Sequence, residues 1–182
     1  MNTQRLKLRP IELKFSREYF ENVRRYPELF TYFDKKAHKN SKQTLEDFTK
    51  WVNRYYTDPY QWLIFTKDNT VIGKIDLHNY KVGWKTAEVG YELGPLWQGY
   101  GFMTEALNEV LKFVFTSTDI HVVSAVHHID NIKSGAVLLR CGLEEEAILH
   151  ERDCIDGIFY DQKLYYITRD MWERRQAEMP NK

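Results

Sequence analysis

The alternation of polar and apolar positions changes period several times along this chain, and each change marks an element. Thr3-Gln4-Arg5-Leu6-Lys7-Leu8-Arg9-Pro10 alternates up to a proline, which predicts a first strand with one buried face at or near a sheet edge. From Phe15 to Tyr26 the spacing turns helical, with Tyr19, Phe20 and Val23 as the apolar side and Pro27 as the break. A polar connection from Asp34 to Asn40 leads to a second helix. It is expected to be capped by Ser41, to bury Leu45, Phe48, Val52 and Tyr55, and to run through Tyr56 until Asp58-Pro59 ends it. Trp62-Leu63-Ile64-Phe65 and Val71 to Leu77 read as a β-hairpin about Lys67-Asp68-Asn69, and a third antiparallel strand, Thr86 to Leu93, follows a turn around Gly83.

The clearest helical period comes next. Met103, Ala106, Leu107, Val110, Leu111, Val114 and Phe115 fall on one face, with Thr104, Glu105, Asn108, Glu109 and Lys112 between them. His121 to Val126 is a β-branched run suited to a buried strand, parallel to and beside Glu88 to Leu93. Asn131-Ile132-Lys133-Ser134 opens a helix that Cys141-Gly142 closes. Glu144 to Asp153 and Ile158 to Thr168 form a last hairpin through Asp156-Gly157, Asp170 is placed to cap a terminal helix, and Pro180-Asn181-Lys182 should fray. The order of elements predicts a mixed α/β domain covering 1–182, without internal repeats.

Composition adds bounds. With 182 residues, 43% hydrophobic and 15% aromatic, the chain can fill one sizeable core. Its 26 basic and 26 acidic residues balance, so nothing in the overall charge calls for nucleic acid or an anionic membrane. No apolar run reaches the length of a membrane span and the first residues are polar, which leads us to expect a cytoplasmic protein. Cys141 and Cys154 lack metal-ligand spacing and are expected to be free, buried thiols. His121, His127 and His128 have no completing carboxylate or cysteine, so no metal is expected.

The candidate chemistry sits just ahead of the strongest helix, at Gln98-Gly99-Tyr100-Gly101-Phe102-Met103. The first turn of a helix leaves backbone N–H groups without intrahelical partners at the positive end of its dipole, and glycines let such donors converge on an anion. No Gly-Lys-Ser/Thr and no third glycine accompany the loop, which excludes a Walker-type loop and a dinucleotide fingerprint. Taken alone, Gly-x-Gly is equally a tight strand-to-helix turn.

Five segments, in order, resemble one family. They are Gln4-Arg5-Leu6-x-Leu8-Arg9-Pro10, Ala87-Glu88-Val89-Gly90-Tyr91-x-Leu93, the loop with Thr104-Glu105-Ala106-Leu107, Asn131-x-x-Ser134, and Gly157-x-Phe159-x-Asp161-x-x-x-Tyr165. Together they resemble the RimJ/RimL-type branch of the GNAT superfamily of N-acetyltransferases. The loop is similar to that family's Gln/Arg-x-x-Gly-x-Gly/Ala pyrophosphate loop, with Met103 in place of the small residue.

The resemblance implies an acyl-coenzyme A N-acyltransferase fold, a mostly antiparallel sheet flanked by helices and splayed where coenzyme A binds. It further implies acetyl transfer from acetyl-coenzyme A to a primary amine within a ternary complex. Leu93, Gln98, Gly99, Tyr100, Gly101, Phe102, Met103, Thr104, Asn131 and Ser134 would contact the coenzyme A moiety, and Ser134 would protonate the departing thiolate. Its plain alternative is a hydroxyl serving the start of its helix. For the base, Asp153 stands where RimL-like sequences carry a glutamate; Glu92 competes, and Glu88 ranks below it on the same strand face. Phe30-Thr31-Tyr32-Phe33 falls where the family places its acceptor pocket, though each ring also suits the core. A protein N-terminal α-amine is the first acceptor to consider, then a polyamine, amino sugar or amino acid. The rival class is a non-catalytic acyl-coenzyme A-binding module, and the family's habit also implies a homodimer through the late strands.

Overall fold

The computed structural model describes residues 1–54 and 59–178. In chain order the strands and α-helices are β1 (Leu6–Arg9), α1 (Ser16–Tyr19), α2 (Ser41–Asn53), β2 (Gln61–Thr66), β3 (Val71–Lys81), β4 (Thr86–Leu93), α3 (Phe102–Ser117), β5 (Val122–His128), α4 (Ile132–Arg140), β6 (Glu144–Ile155), β7 (Ile158–Thr168) and α5 (Arg169–Glu178). They form two compact units, Met1–His78 with Gly90–Glu109 and Asn79–Val89 with Val110–Lys182.

In the first unit the strand order is β1-β2-β3-β4, with β1 at the edge as its alternation and proline foretold. Leu6 and Leu8 of β1 point inward, and the strand pairs antiparallel with β2, Leu6 opposite Thr66 and Arg9 opposite Leu63. A bulge between Ile64 and Phe65 interrupts the β2–β3 ladder. The core here gathers Tyr19, Val23, Phe48, Leu63, Phe65 and Val71, each wholly buried, so each contributes about 1.5–3 kcal/mol of transfer free energy at most.

The segment expected as one helix over 15–26 is built differently. After α1 the chain widens into a π-helical turn, Phe20–Arg24, closed by the Arg25 amide donating to the Phe20 carbonyl at 3.1 Å. The wider turn lets the consecutive residues Val23 and Arg24 both be buried, whereas Phe20, expected inside, is only half buried. Pro27 does more than break the helix; it starts a 3-10 turn, Pro27–Phe30.

Two details of α2 also differ. Its cap is Asn40, whose side chain accepts from the Lys42 and Gln43 amides at 3.1 and 3.2 Å, and Ser41 is already helical. Its inner stripe is Thr44, Phe48 and Trp51, while Leu45 is 41% exposed. The expected Tyr55 contact and the helix end at Tyr56 and Asp58 lie outside the described residues.

The second unit has the order β4-β5-β7-β6. β5 is parallel to β4, as expected, but the ladder runs over Thr86–Glu88 against Val122–Ser124 rather than along Glu88 to Leu93. β7 pairs antiparallel with β5 from Val122 opposite Thr168 to His128 opposite Gln162. The final hairpin turns at Asp156 and Gly157, with φ of 49° and 82°, the left-handed pair of a two-residue turn. Gly142 ends α4 at φ 89°. Thr168, not Asp170, caps α5, its Oγ1 accepting from the Met171 amide at 3.2 Å; Asp170 is an acid of the first turn instead. Cys141 is buried as expected, but Cys154 is exposed, because β6 is an edge strand with one face in water. The expected fraying of Pro180 to Lys182 lies outside the described residues. Seven strands, mostly antiparallel, with flanking helices make this a mixed α/β protein, and no helix among the described residues is long and apolar enough to cross a membrane.

Candidate active site

Strand β4 ends at Leu93, and the chain reaches α3 through a 3-10 turn, Pro95–Trp97, and the glycine loop. The Gly94 amide donates to the Ile72 carbonyl at 2.8 Å, and the Gln98 side-chain amide donates to the Leu93 carbonyl at 3.1 Å, so both ends of the connection are pinned. Gly99 and Gly101 have φ of 86° and 78°, values that L side chains rarely adopt. A Cβ at Gly99 would meet nothing within 4 Å, and one at Gly101 would find only Arg5 Nη2, at 3.6 Å. The loop is therefore open on the glycine side. The Glu105 amide donates to the Gly101 carbonyl at 3.0 Å, so Phe102, Met103 and Thr104 form the first turn of α3, at the positive end of its dipole.

A clamp that sequence reading missed fixes this loop. Glu105 Oε1 accepts from Thr3 Oγ1 at 2.5 Å and from the Arg5 amide at 2.8 Å, and Glu105 Oε2 accepts from Arg5 Nε at 2.6 Å. Arg5 Nη1 donates to the Tyr100 carbonyl at 2.9 Å, and its guanidinium lies 4.7 Å from the Phe102 ring centroid. Burial works to raise the Glu105 pKa, but the bonds from Thr3 and Arg5 outweigh it and hold the carboxyl below its usual range. Arg5 and Glu105 are 100 residues apart, so no local pattern could have paired them. The one available signal was that Gln4-Arg5-Leu6 and the loop both belong to the resemblance.

The three carboxylates considered for the base sit in different surroundings. Glu92 accepts from Tyr19 Oη and, at 2.8 Å, from Arg24 Nη2. Burial and then the Glu92 charge raise the Tyr19 pKa well above normal, keeping that phenol a donor. Arg24 is 7% exposed; burial pulls its pKa down, but Glu92, Tyr19 and Asp47 reverse the sign and raise it. Glu92 thus accepts from two buried donors and has the environment of a positioning group. Glu88 accepts from Asn79 Nδ2 at 3.2 Å. Asp153, half buried on the edge strand opposite Tyr160, accepts from the Cys154 amide at 3.0 Å.

Asn131 and Ser134 belong to the second unit. Asn131 Oδ1 caps α4 by accepting from the Ser134 amide at 3.3 Å. Asn131 thus supplies a capping acceptor at the start of α4. His127 and His128 are both buried; the His127 ring stacks on Tyr165 at 5.3 Å. No group of three or more metal-ligating side chains occurs among the described residues.

The first unit also holds a cavity of about 380 Å³ lined by Arg24, Lys35, Lys36, His38, Asp47, Lys50, Trp51 and Arg54. Of Phe30 to Phe33, the stretch that sequence reading assigned to the acceptor side, Phe30 is buried with the Arg24 guanidinium 5.6 Å from its ring.

The sequence profile of the family described as Acetyltransferase (GNAT) domain matches residues 5–144. The chain is 30% identical over 110 residues to the uncharacterized N-acetyltransferase YoaA of Bacillus subtilis (strain 168), a match covering 60% of this chain and 62% of that protein. It is 31% identical over 106 residues to the ribosomal protein uS5-alanine N-acetyltransferase of Escherichia coli (strain K12), covering 58% of this chain and 55% of that one. It thus spans 62% and 55% of the lengths of these two relatives. Among solved structures, the spermidine N-acetyltransferase from Vibrio cholerae, in complex with CoA and spermine, superposes with a TM-score of 0.80 at 22% identity, covering 94% of this chain and 99% of that one. At that identity the likeness speaks to the fold.

Proposed function

This chain belongs to the GNAT acetyltransferase family, and from that membership we propose that it transfers the acetyl group of acetyl-coenzyme A to a primary amine. The observation that carries the reading is the open glycine loop at the start of α3, two left-handed glycines followed by the first turn of a buried helix. Its backbone donors and the helix dipole suit the pyrophosphate of coenzyme A, and the Arg5–Glu105 clamp braces the loop in that shape. The family profile runs through residues of both compact units, which supports reading the chain as one domain.

In this reading the neutral amine attacks the thioester carbonyl, whose oxygen is stabilised by backbone amides near Leu93. The C–S bond then breaks as the C–N bond is made. The amine's proton passes to water or to a carboxylate, for which Asp153 is the better candidate because Arg24 and Tyr19 already occupy Glu92. Ser134 gives the thiolate its proton, and Asn131, whose Oδ1 is taken by the cap, keeps its amide N–H₂ for the pantetheine arm. A protein N-terminal α-amine is the acceptor we place first, in line with the uS5-alanine relative; a small amine follows, in line with the polyamine-acetylating neighbour.

The test is release of coenzyme A thiol across peptides with free N-termini, polyamines, amino sugars and amino acids. Turnover with at least one amine is expected, and tight acetyl-coenzyme A binding with no release from any of them would turn the reading into a non-catalytic binding module. Ser134→Ala is expected to slow turnover by about 10²-fold or more, the usual range for a lost general acid, with a much smaller change in coenzyme A affinity. Equal turnover by variant and wild type would return Ser134 to a purely structural role.

A further inference from the structure

The glycine loop ahead of α3 has no cation of its own. From Gly94 to Thr104 no residue is basic. A pyrophosphate carries negative charge on both of its phosphoryl groups, whereas the end of a helix dipole offers roughly half a positive charge. Glu105 deepens the shortfall, since its carboxylate stands in the first turn of α3 and competes for the same end of the dipole.

A cation from a distant part of the chain reaches the loop. Arg5, just ahead of β1, gives its amide and Nε to Glu105, at 2.8 and 2.6 Å, and Nη1 to the Tyr100 carbonyl, at 2.9 Å. These bonds fix the plane of the guanidinium, and the direction of Nη2 follows from the plane. Nη2 lies 3.6 Å from the point where a Cβ on Gly101 would stand, and it has no hydrogen-bond partner among the described residues. The Arg5 side chain is 45% exposed and that of Glu105 only 17%, so the cation is the member of the pair that a ligand can reach. The Phe102 ring, 4.7 Å from the guanidinium, supports it from one face. A side chain at Gly101 would crowd the space beside Nη2.

Resting on the acetyltransferase reading above, we propose that Arg5 is itself a coenzyme A-binding residue, with Nε and Nη1 holding the loop and Nη2 donating to an oxygen of the pyrophosphate beside Gly101. Arg5 supplies the full positive charge that the loop lacks, and Glu105 is the anion that aims it. Arginine suits this double task because its donors form a rigid fork, whereas the single ammonium of lysine cannot serve loop and ligand together.

Side-chain NMR of the full chain carrying ¹⁵N-labelled arginine reads the contact directly, with the Arg5 signals assigned by their loss in Arg5→Lys. Coenzyme A is expected to slow the exchange of the Nη2 protons and to couple them to phosphorus across the hydrogen bond. Dephospho-coenzyme A, which lacks only the 3′-phosphate, should do the same, and pantetheine, which has no phosphate, should not. A side chain that merely braces the loop shows no such coupling. By calorimetry, Arg5→Met should weaken both phosphate-bearing ligands by the same factor, about tenfold or more, the range for a lost hydrogen bond to a charged group. The remaining affinity should depend less on salt, and Arg5→Lys should fall between. Wild-type affinity in Arg5→Met, a loss confined to the ligand with the 3′-phosphate, or an Arg5 that coenzyme A leaves uncoupled overturns the proposal. Coupling to phosphorus in a protein that releases no thiol with any amine keeps this contact and removes acetyl transfer; thiol release with Arg5 uncoupled does the reverse. A wild type that binds no coenzyme A removes both.

Discussion

Replacing Glu92 by alanine is expected to cost about 3–5 kcal/mol of folding stability, the range for breaking a buried pair from one side. The reason lies in Arg24, whose side chain is 8% exposed and whose Nη2 would lose the carboxylate 2.8 Å away. Tyr19 Oη, wholly buried, would lose the same acceptor. Glu92→Gln retains an oxygen for one donor and should cost clearly less. Chemical denaturation reads both effects, and an alanine variant as stable as the wild type would show that the pair contributes nothing. Adding Arg24→Met to Glu92→Gln removes both charges from the interior and should recover part of the alanine variant's loss. The same series separates the roles of Glu92. A positioning group loses turnover in step with stability, whereas a base would lose turnover in Glu92→Gln while the fold held.

Gly101→Asp is expected to weaken acetyl-coenzyme A binding by about 100-fold or more. A carboxylate about 5 Å from one phosphate charge costs roughly 3 kcal/mol at an effective dielectric constant near 20. The space is open, with Arg5 Nη2 the nearest atom at 3.6 Å, so the new side chain is not excluded and the loss is electrostatic. Aspartate also tolerates the left-handed backbone better than most residues, which protects the fold. Gly101→Ala carries the conformational cost without the charge and should lose less than tenfold. Calorimetric titration of the folded variants measures this, and wild-type affinity in Gly101→Asp would remove the loop from the binding site.

Much of the fold was legible from periodicity because the core imposes it. The buried positions of α3 alternate with polar ones over four turns, and β1, β2 and β3 carry many of the residues that the first unit buries. The misreadings have physical causes. Asn40 and Ser41 are both good caps, and only the extended backbone at Asn40, φ −157°, decides between them. Leu45 reads as the inner residue of α2, yet it is Phe48 that packs against Tyr19, at 5.3 Å between rings, and Thr44 that is buried one turn before it. The π-turn at Phe20–Arg24 answers to Glu92, some 68 residues away, and no local rule contains that distance. Of the candidate site, the glycine loop was readable because its chemistry is in the backbone. The cavity of the first unit was not, since Arg24, Lys35 and Lys50 look like solvated charges until the chain folds around Trp51. The faint signal was Lys50 on α2 and Arg54 just past its end, four residues apart, after the Lys35-Lys36 pair.

The two cysteines give the protein an internal clock for its own integrity. Cys154 is exposed on β6, whereas Cys141 is buried at the C-terminal end of α4, where burial pushes its thiol up to about 12. A thiol reagent that reports released coenzyme A will also titrate Cys154, one equivalent per chain, before any acetyl moves. Cys154→Ser removes that background. What remains silent is Cys141, and a second equivalent emerging during an assay marks molecules that have opened.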